Sequence, residues 1–370
     1  MLYTKSALLL DIVPLHTWLN TDNKPVVIAG PCSAESEEQM LAVAQGIANI
    51  PQVKMLRAGI WKPRTRPGSF EGMGSIALPW LVNAAKQNNL LSACEVATAK
   101  HVDEALKAGV DVLWLGARTT VNPFSVQEVA DALRGVDVPV MVKNPITPDL
   151  QLWIGAIERV AAAGINRMIA VHRGFQTIAK TKHRNNPLWE IAIELRAEMP
   201  GLPIFTDPSH IAGKSELVAD VAQKAIDIDT DGLMIETHPT PAHALSDARQ
   251  QITPAELDTL IRRLELRNTN SSNEDFQNRL EELRSIMDGI DEELLKVVAR
   301  RMAIAEKIGE YKRDNNVTIL QIKRWRDILA TRTAKGNNLG LDEEFVKALM
   351  QLIHKESIHV QTEFVKKNHI

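Results

Sequence analysis

From Val26 to about Pro239 the chain alternates short apolar runs with amphipathic stretches of helical length. The runs fall at 26–29, 53–60, 90–96, 112–116, 139–142, 168–171, 203–205 and 232–235, which makes eight. Segments between them, such as 37–49, 126–133, 150–163 and 217–228, carry apolar residues at helical spacing, and 253–266 supplies a helix after the eighth run. Eight strand-then-helix repeats predict an α/β protein built on a closed parallel (β/α)8 barrel. A doubly wound open sheet is the competing reading of the same alternation.

The pattern changes at Arg267, where Asn268-Thr269-Asn270-Ser271-Ser272-Asn273 offers no apolar anchor. Beyond it Phe276, Leu280, Leu283, Met287, Ile290, Leu294, Val297, Ile304, Ile308 and Tyr311 recur at spacings of three and four, apart from one step of seven between Val297 and Ile304, with no proline from Thr269 onward. This predicts one helix of about 40 residues, roughly 60 Å long. Two shorter helices, 320–333 and 342–366, follow, with Gly336 and Gly340 marking the turn between them. The domains expected are a barrel at 1–267, a linker at 268–274 and an all-α three-helix domain at 275–370. Three helices of such unequal length cannot cover one another, so the tail is expected to finish its packing as a helical homodimer.

Composition narrows the function classes. Lys plus Arg (43) nearly balance Asp plus Glu (46), so no whole-chain field favours nucleic acid or an anionic membrane. Two cysteines make no disulfide framework, and the apolar run 7–10 is too short to span a bilayer, which leaves the cytoplasm as the expected compartment. Any anion must be caught by local cations. The C-terminal strand ends of a barrel are where chemistry is expected, and there stand Arg57 and Lys62 after the second strand, Arg118 after the fourth, Lys143 after the fifth and Arg173 after the sixth. Each alone reads as a solvated surface residue. Together at one mouth they would repel unless a phosphorylated, carboxylated substrate joined them. The same ends offer Cys32, His210, Glu236 and Asp247, a mixed set suited to a divalent transition metal with an open position. Singly, Cys32 reads as a small buried hydrophobe and His210 as a loop cap.

Seven motifs occur in order: Gly30-Pro31-Cys32-Ser33-Ala34-Glu35-Ser36, Arg57-Ala58-Gly59-Ile60-Trp61-Lys62-Pro63-Arg64-Thr65, Gly116-Ala117-Arg118-Thr119, Val142-Lys143-Asn144-Pro145, His172-Arg173-Gly174, Asp207-Pro208-Ser209-His210 and Ile235-Glu236-Thr237-His238-Pro239. Together they resemble the type I beta 3-deoxy-D-arabino-heptulosonate 7-phosphate synthases, over nearly all of 12–266. The resemblance implies condensation of phosphoenolpyruvate with erythrose 4-phosphate. It implies that Arg118, Lys143 and Arg173, with Arg57 and Lys62 nearby, hold phosphoenolpyruvate, and that Arg64 and Thr65 hold the phosphate of the aldehyde. Cys32, His210, Glu236 and Asp247 would bind the metal, Mn2+ foremost, with Fe2+, Co2+ or Zn2+ compatible. Lys143 is the expected acid for the new hydroxyl, and Glu95, ending the third strand, would orient the attacking water. A related octulosonate 8-phosphate synthase family carries Lys-Ala-Asn-Arg where this chain has Lys62-Pro63-Arg64-Thr65, which favours the four-carbon aldehyde.

In the tail, Arg284, Arg301 and Lys312 sit on or beside the apolar stripe. At about 100° per residue Lys312 lies about 20° around the helix from Arg301, whereas Arg284 falls about 100° away. A pocket would take Arg301 and Lys312 from one chain and Arg284 from its dimer mate; a solvated charged face is the alternative. Leu280-x-x-Leu283-Arg284, Ile290-Asp291-x-x-Leu294-Leu295, Arg300-Arg301, Lys307-Ile308-Gly309-x-x-Lys312 and Ser357-x-x-x-Gln361 resemble the all-helical chorismate mutases. The resemblance implies that Arg284 and Arg301 meet the carboxylates of chorismate. It assigns the ether oxygen to Lys312 and Gln361, with Ser357 assisting the ring carboxylate. It also places Gln321 and Trp325 where bacterial members carry an Asp and a Glu beside the substrate hydroxyl. Trp325 cannot replace a carboxylate. A bifunctional shikimate-pathway enzyme is therefore expected; a non-catalytic chorismate or prephenate sensor, or a dimerisation module, is the alternative for the tail. Only about 25 residues precede the first strand, so feedback is expected through the tail, with prephenate as its effector.

Overall fold

The computed structural model describes residues 10–64, 68–178, 181–267 and 271–367. The chain folds as two compact units, Met1–Thr269 and Asn270–Ile370. In the first, β1 (Val26–Gly30), β2 (Val53–Ala58), β3 (Leu91–Val96), β4 (Val112–Leu115), β5 (Val140–Lys143), β6 (Met168–His172), β7 (Ile204–Thr206) and β8 (Gly232–Glu236) pair in parallel, each with the next, and β8 returns to β1. The barrel is closed, which removes the open-sheet reading. Around it run α1 (Glu37–Ala48), α2 (Leu78–Gln87), α3 (Ala99–Ala108), α4 (Ala117–Thr120), α5 (Pro123–Ala132), α6 (Leu150–Ala162), α7 (Trp189–Glu198), α8 (Pro208–Ala212), α9 (Val218–Asp227) and α10 (Pro254–Arg263). α10 opens on a full capping box, the Thr253 side chain and Glu256 each satisfying the other's backbone N–H.

The strands are apolar on both faces because both are covered. Val27, Ala29, Leu56 and Val142 point out and pack under the helices, whereas Ile28, Met55, Ala93, Trp114, Met141, Val171, Phe205 and Met234 fill the barrel's interior. The second apolar run, expected over 53–60, leaves the sheet at Ala58; Gly59 pairs instead with Ser33.

In the second unit α11 (Glu274–Asp314) spans 41 residues and is capped by Asn273, whose side chain accepts from Phe276 N. α12 (Ile322–Asn338) and α13 (Glu343–Lys367) follow, and α13 packs on both α11 and α12. Gly336 does not mark the turn: it lies inside α12, buried, where a Cβ would stand 2.5 Å from Val346 Cγ2 of α13. The glycine is there for close helix approach, and the turn falls at Gly340, with φ +80°. Ala305 and Gly309 are the buried residues of α11, while Leu283, Met287, Ile290, Leu294 and Val297 remain 47–63% exposed. Those five recur at spacings of four and three, a seam left largely exposed within this unit.

Candidate active sites

Side chains alternate across a strand, so the position two beyond an inward residue also points inward. Stepping two from the uppermost interior residues Met55, Ala93, Met141, Val171, Phe205 and Met234 gives Arg57, Glu95, Lys143, Arg173, Asp207 and Glu236. The floor of the barrel mouth is thus a layer of charges set on an apolar plug. On β4 the same step lands on Gly116, where a Cβ would meet Glu95 Oε1 at 2.0 Å; only glycine leaves room for that carboxylate.

The layer is internally paired. Arg57 Nη1 lies 3.3 Å from Glu236 Oε1, and its Nη2 donates to the Cys32 carbonyl at 3.3 Å. The Lys143 ammonium donates to Asp207 Oδ2 at 2.7 Å. Arg57 and Lys143 both stand over the Trp114 ring, whose Nε1 donates to Glu95 Oε2 at 3.2 Å. Burial pulls the Lys143 ammonium below its ordinary range, and Asp207 only partly opposes it. Burial also brings Arg173 down to about 10. Asp207 is held well below the carboxylate range, since His210 and Lys143 outweigh its own burial. Asn144 fixes Arg173, accepting from its backbone N–H at 2.7 Å and donating to the Gly174 carbonyl at 2.9 Å.

Above this layer opens a cavity of about 360 Å³ lined by Lys62, Arg64, Glu95, Arg118, Lys143 and Arg173, together with Arg184, Asn185, His210 and Asp247. A larger hollow, about 510 Å³, lies around the start of β1 and of β7, between Leu15 and Arg267, but it lacks such a convergence of cations. Arg57 belongs to the second strand itself rather than following it, 1% exposed beneath the cavity. Thr65 lies outside the described residues.

Ligand atoms of Cys32, Glu236 and Asp247 lie within 4.8 Å of one another. His210 stands beside them, its Nε2 3.7 Å from Glu236 Oε1 and its Nδ1 2.8 Å from Asp207 Oδ2. Burial and the Glu236 charge push the Cys32 thiol up to about 12, while the Lys62 ammonium sits 3.0 Å from its sulfur. Glu236 Oε1 is buried and accepts no well-directed hydrogen bond among the described residues. A sulfur and two carboxylates, one with an oxygen that is ion-paired but accepts no well-directed hydrogen bond, fit a divalent ion of intermediate softness.

Two contributors carry no sequence signal. Arg184 lies in the aperiodic stretch after β6, yet its guanidinium reaches Asp247 Oδ1 at 3.1 Å and Gln250 Oε1 at 2.7 Å. Gln250, 1% exposed, donates in turn to Glu236 Oε2 at 2.7 Å and faces Asp247 Oδ2 at 3.4 Å. One amide thereby orients two carboxylates.

In the tail unit Arg301 occupies the next turn of the α11 seam, four residues after Val297, and its Nη1 donates to Ser357 Oγ. Lys312 Nζ donates to Gln361 Oε1 at 3.2 Å and to the Ile319 carbonyl. Arg301, Lys312, Ser357 and Gln361 are therefore brought together within one chain. Arg284 is not: it is exposed and paired with Glu281 at 3.2 Å. Gln321 is the exposed N-cap position of α12 and makes no side-chain cap, while Trp325 stacks on His354 with ring centroids 4.0 Å apart.

The chain matches the DAHP synthetase I family over residues 16–270 and chorismate mutase type II over residues 283–362. It is 31% identical over 226 residues to a phospho-2-dehydro-3-deoxyheptonate aldolase of Thermotoga maritima, a match covering 61% of this chain and 64% of that relative's length. A 2-dehydro-3-deoxyphosphooctonate aldolase of a Bradyrhizobium species is 27% identical over 263 residues, covering 64% of this chain and 86% of that one. The crystal structure of the Thermotoga maritima DAHP synthase superposes with a TM-score of 0.58 at 30% identity, over 64% of this chain and 67% of that one. A truncated form of the 3-deoxy-D-arabino-heptulosonate 7-phosphate synthase from the same organism gives 0.55 at 26%, over 64% and 84%. With the family profile covering the whole barrel, the chain belongs to the DAHP synthetase I family and carries a chorismate mutase type II domain behind its barrel.

Proposed function

We propose that the chain is a bifunctional enzyme of aromatic biosynthesis, working in the cytoplasm, that condenses phosphoenolpyruvate with erythrose 4-phosphate and rearranges chorismate to prephenate. The observation that carries the first activity is a cavity in which Lys62, Arg64, Arg118, Lys143 and Arg173 converge beside Cys32, Glu236 and Asp247. Arg118, Lys143 and Arg173 hold the phosphate and carboxylate of phosphoenolpyruvate, with Lys62 beside them and Arg57 adding its charge from beneath. Arg64, with Thr65, takes the phosphate of the four-carbon aldehyde. Cys32, His210, Glu236 and Asp247 hold a divalent metal, Mn2+ first among the candidates, which when bound supplies a Lewis acid for the aldehyde oxygen.

The residues then divide the protons. The methylene carbon of phosphoenolpyruvate forms the new bond to the aldehyde carbon, and the aldehyde oxygen takes a proton from Lys143 Nζ, which burial has made a readier acid. Glu95, its Oε2 fixed by Trp114, orients the water that adds at the enol carbon; as the ketone forms, one of that water's protons restores the Lys143 ammonium and the other leaves with inorganic phosphate. Phosphate release that requires both substrates, falls on chelation and returns with added metal is the test. Equal turnover of arabinose 5-phosphate would move the assignment to the octulosonate class.

For the tail, Arg301 and Ser357 receive carboxylates and Lys312 with Gln361 faces the ether oxygen, holding the substrate for a rearrangement that needs no covalent help. Arg284 comes from a second copy, because it stands apart in its own chain and the α11 seam is exposed. Prephenate bound in that pocket inhibits the barrel. The rival reading, a chorismate or prephenate sensor without turnover, is favoured by the tryptophan at 325. An assay of chorismate disappearance by the full chain separates them.

A further inference from the structure

We infer that His354 recognises the ring hydroxyl of the substrate in the helical pocket, taking with Trp325 the place that a carboxylate would otherwise fill; this rests on the mutase reading above. On α13 residues 354, 357 and 361 are three and four apart and share one face. Ser357 and Gln361 on that face already reach Arg301 and Lys312 of α11. Burial first, and then the same two cations, hold the His354 imidazole below the ordinary histidine range. Its ring lies flat on Trp325 of α12, centroids 4.0 Å apart and planes within 7°. The stack orients the ring, and its Nε2 is a buried nitrogen with no hydrogen-bond partner among the described residues. A buried polar atom held in place without a partner is one that a ligand can satisfy.

The chemistry of the ligand selects which of its groups that is. A cyclic dicarboxylate with an ether bridge and a hydroxyl has three kinds of polar group. Arginine and lysine suit the carboxylates and the ether oxygen, where negative charge resides or develops. The hydroxyl remains, and a neutral imidazole can meet it either as acceptor or as donor, according to tautomer. A carboxylate in this place would accept from the hydroxyl but repel the dianion; the neutral ring avoids that. Trp325, unable to accept a hydrogen bond, acts by stacking and holding the ring.

His354→Phe keeps a flat ring on Trp325 and removes the nitrogen. In the full chain its kcat/KM for chorismate should fall about 5- to 100-fold, the range for leaving one buried hydroxyl unpaired, while the synthase rate is unchanged. The deciding readout is the analogue of chorismate lacking the ring hydroxyl, measured as an inhibitor of the wild type and of His354→Phe. It should bind both proteins equally, because the nitrogen has nothing to meet. A merely structural role would weaken chorismate and analogue alike and would overturn the assignment, as would an unchanged kcat/KM in the variant. If the wild type neither converts nor binds chorismate, the mutase reading itself falls and carries this inference with it. If the wild type binds chorismate without turnover, the same comparison is made on dissociation constants, with the same outcomes deciding.

Discussion

Cys32 joins most of the properties of the barrel site in one side chain: it is buried, its sulfur lies 3.7 Å from Asp247 Oδ2, and its proton is held tightly until a cation displaces it. Cys32→Ser should leave the barrel folded and remove most synthase activity and metal, because a hydroxyl does not give up its proton as a thiol does. Metal content by elemental analysis together with the synthase rate checks this, and retained chorismate turnover shows that the chain is intact. Arg64→Ala removes one charge-assisted phosphate contact, so the KM for erythrose 4-phosphate should rise roughly ten- to a hundredfold while that for phosphoenolpyruvate moves much less. Lys143 carries the pH dependence. Its folded value lies below the ordinary lysine range, so the protonated acid is lost as pH rises through that lowered value, and the alkaline limb of the synthase profile should fall short of about 10.4. Lys143→Arg should lower the rate and abolish that limb, since guanidinium keeps its proton there; a limb that persists assigns it to another group. At this scale the sequence made the residue types legible, because alternation along a strand places every second side chain inward. It left their partners hidden: Lys143–Asp207 and Arg57–Glu236 join strands far apart in the chain, and Arg184 reaches Asp247 from a stretch with no period to read.

Elements were the most legible scale where a single period dominates. The eight strands lie where apolar runs stand, and α11 runs the length its stripe implies, because burying an apolar face is the strongest local constraint on either. The two places that differ involve a glycine whose meaning depends on a neighbour. Gly59 ends β2 early because it turns to pair with Ser33, and Gly336 continues α12 because Val346 fills the space its side chain would need. Local rules read a glycine as a breaker; only the facing helix says otherwise. Gly336→Ala tests this. Alanine is the better helix former by about 1 kcal/mol, yet overpacking against Val346 should cost about 1 to 3 kcal/mol, so the net effect on the tail should be destabilising. Denaturant unfolding of the full chain, followed by the loss of chorismate turnover beside that of the synthase, should show the earlier loss of the tail. A more stable variant would mean that Val346 can move aside and that the contact is not specific.

For the whole molecule, the exposed seam of α11 and the separation of Arg284 from Arg301 bear on the same point, since a second copy would cover the first and reunite the second. Arg284→Ala and Arg301→Ala should each abolish mutase activity alone. A mixed dimer should regain one intact pocket, seen as activity returning after subunit exchange; exchange proven by labelled subunits without recovery would place the pocket within one chain. The same pocket is the proposed port for feedback. Of the two activities, one makes an early intermediate and the other consumes a later one, so prephenate in the helical pocket reports downstream supply to the barrel. For it to inhibit, it must bind a synthase-inactive arrangement of the chain more tightly than an active one, since a ligand without such a difference shifts nothing. Coupling of this kind commonly amounts to about 1 to 3 kcal/mol, or roughly 5 to 150-fold in affinity. Prephenate should therefore slow the synthase in the full chain and, by linkage, bind more weakly when the synthase substrates are present. Arg301→Ala, which loses a contact in the tail and none in the barrel, should keep the synthase rate and lose the inhibition. Undiminished synthase activity at saturating prephenate would leave the mutase joined to the barrel without a regulatory role, while inhibition that survives Arg301→Ala would move the effector to a different site.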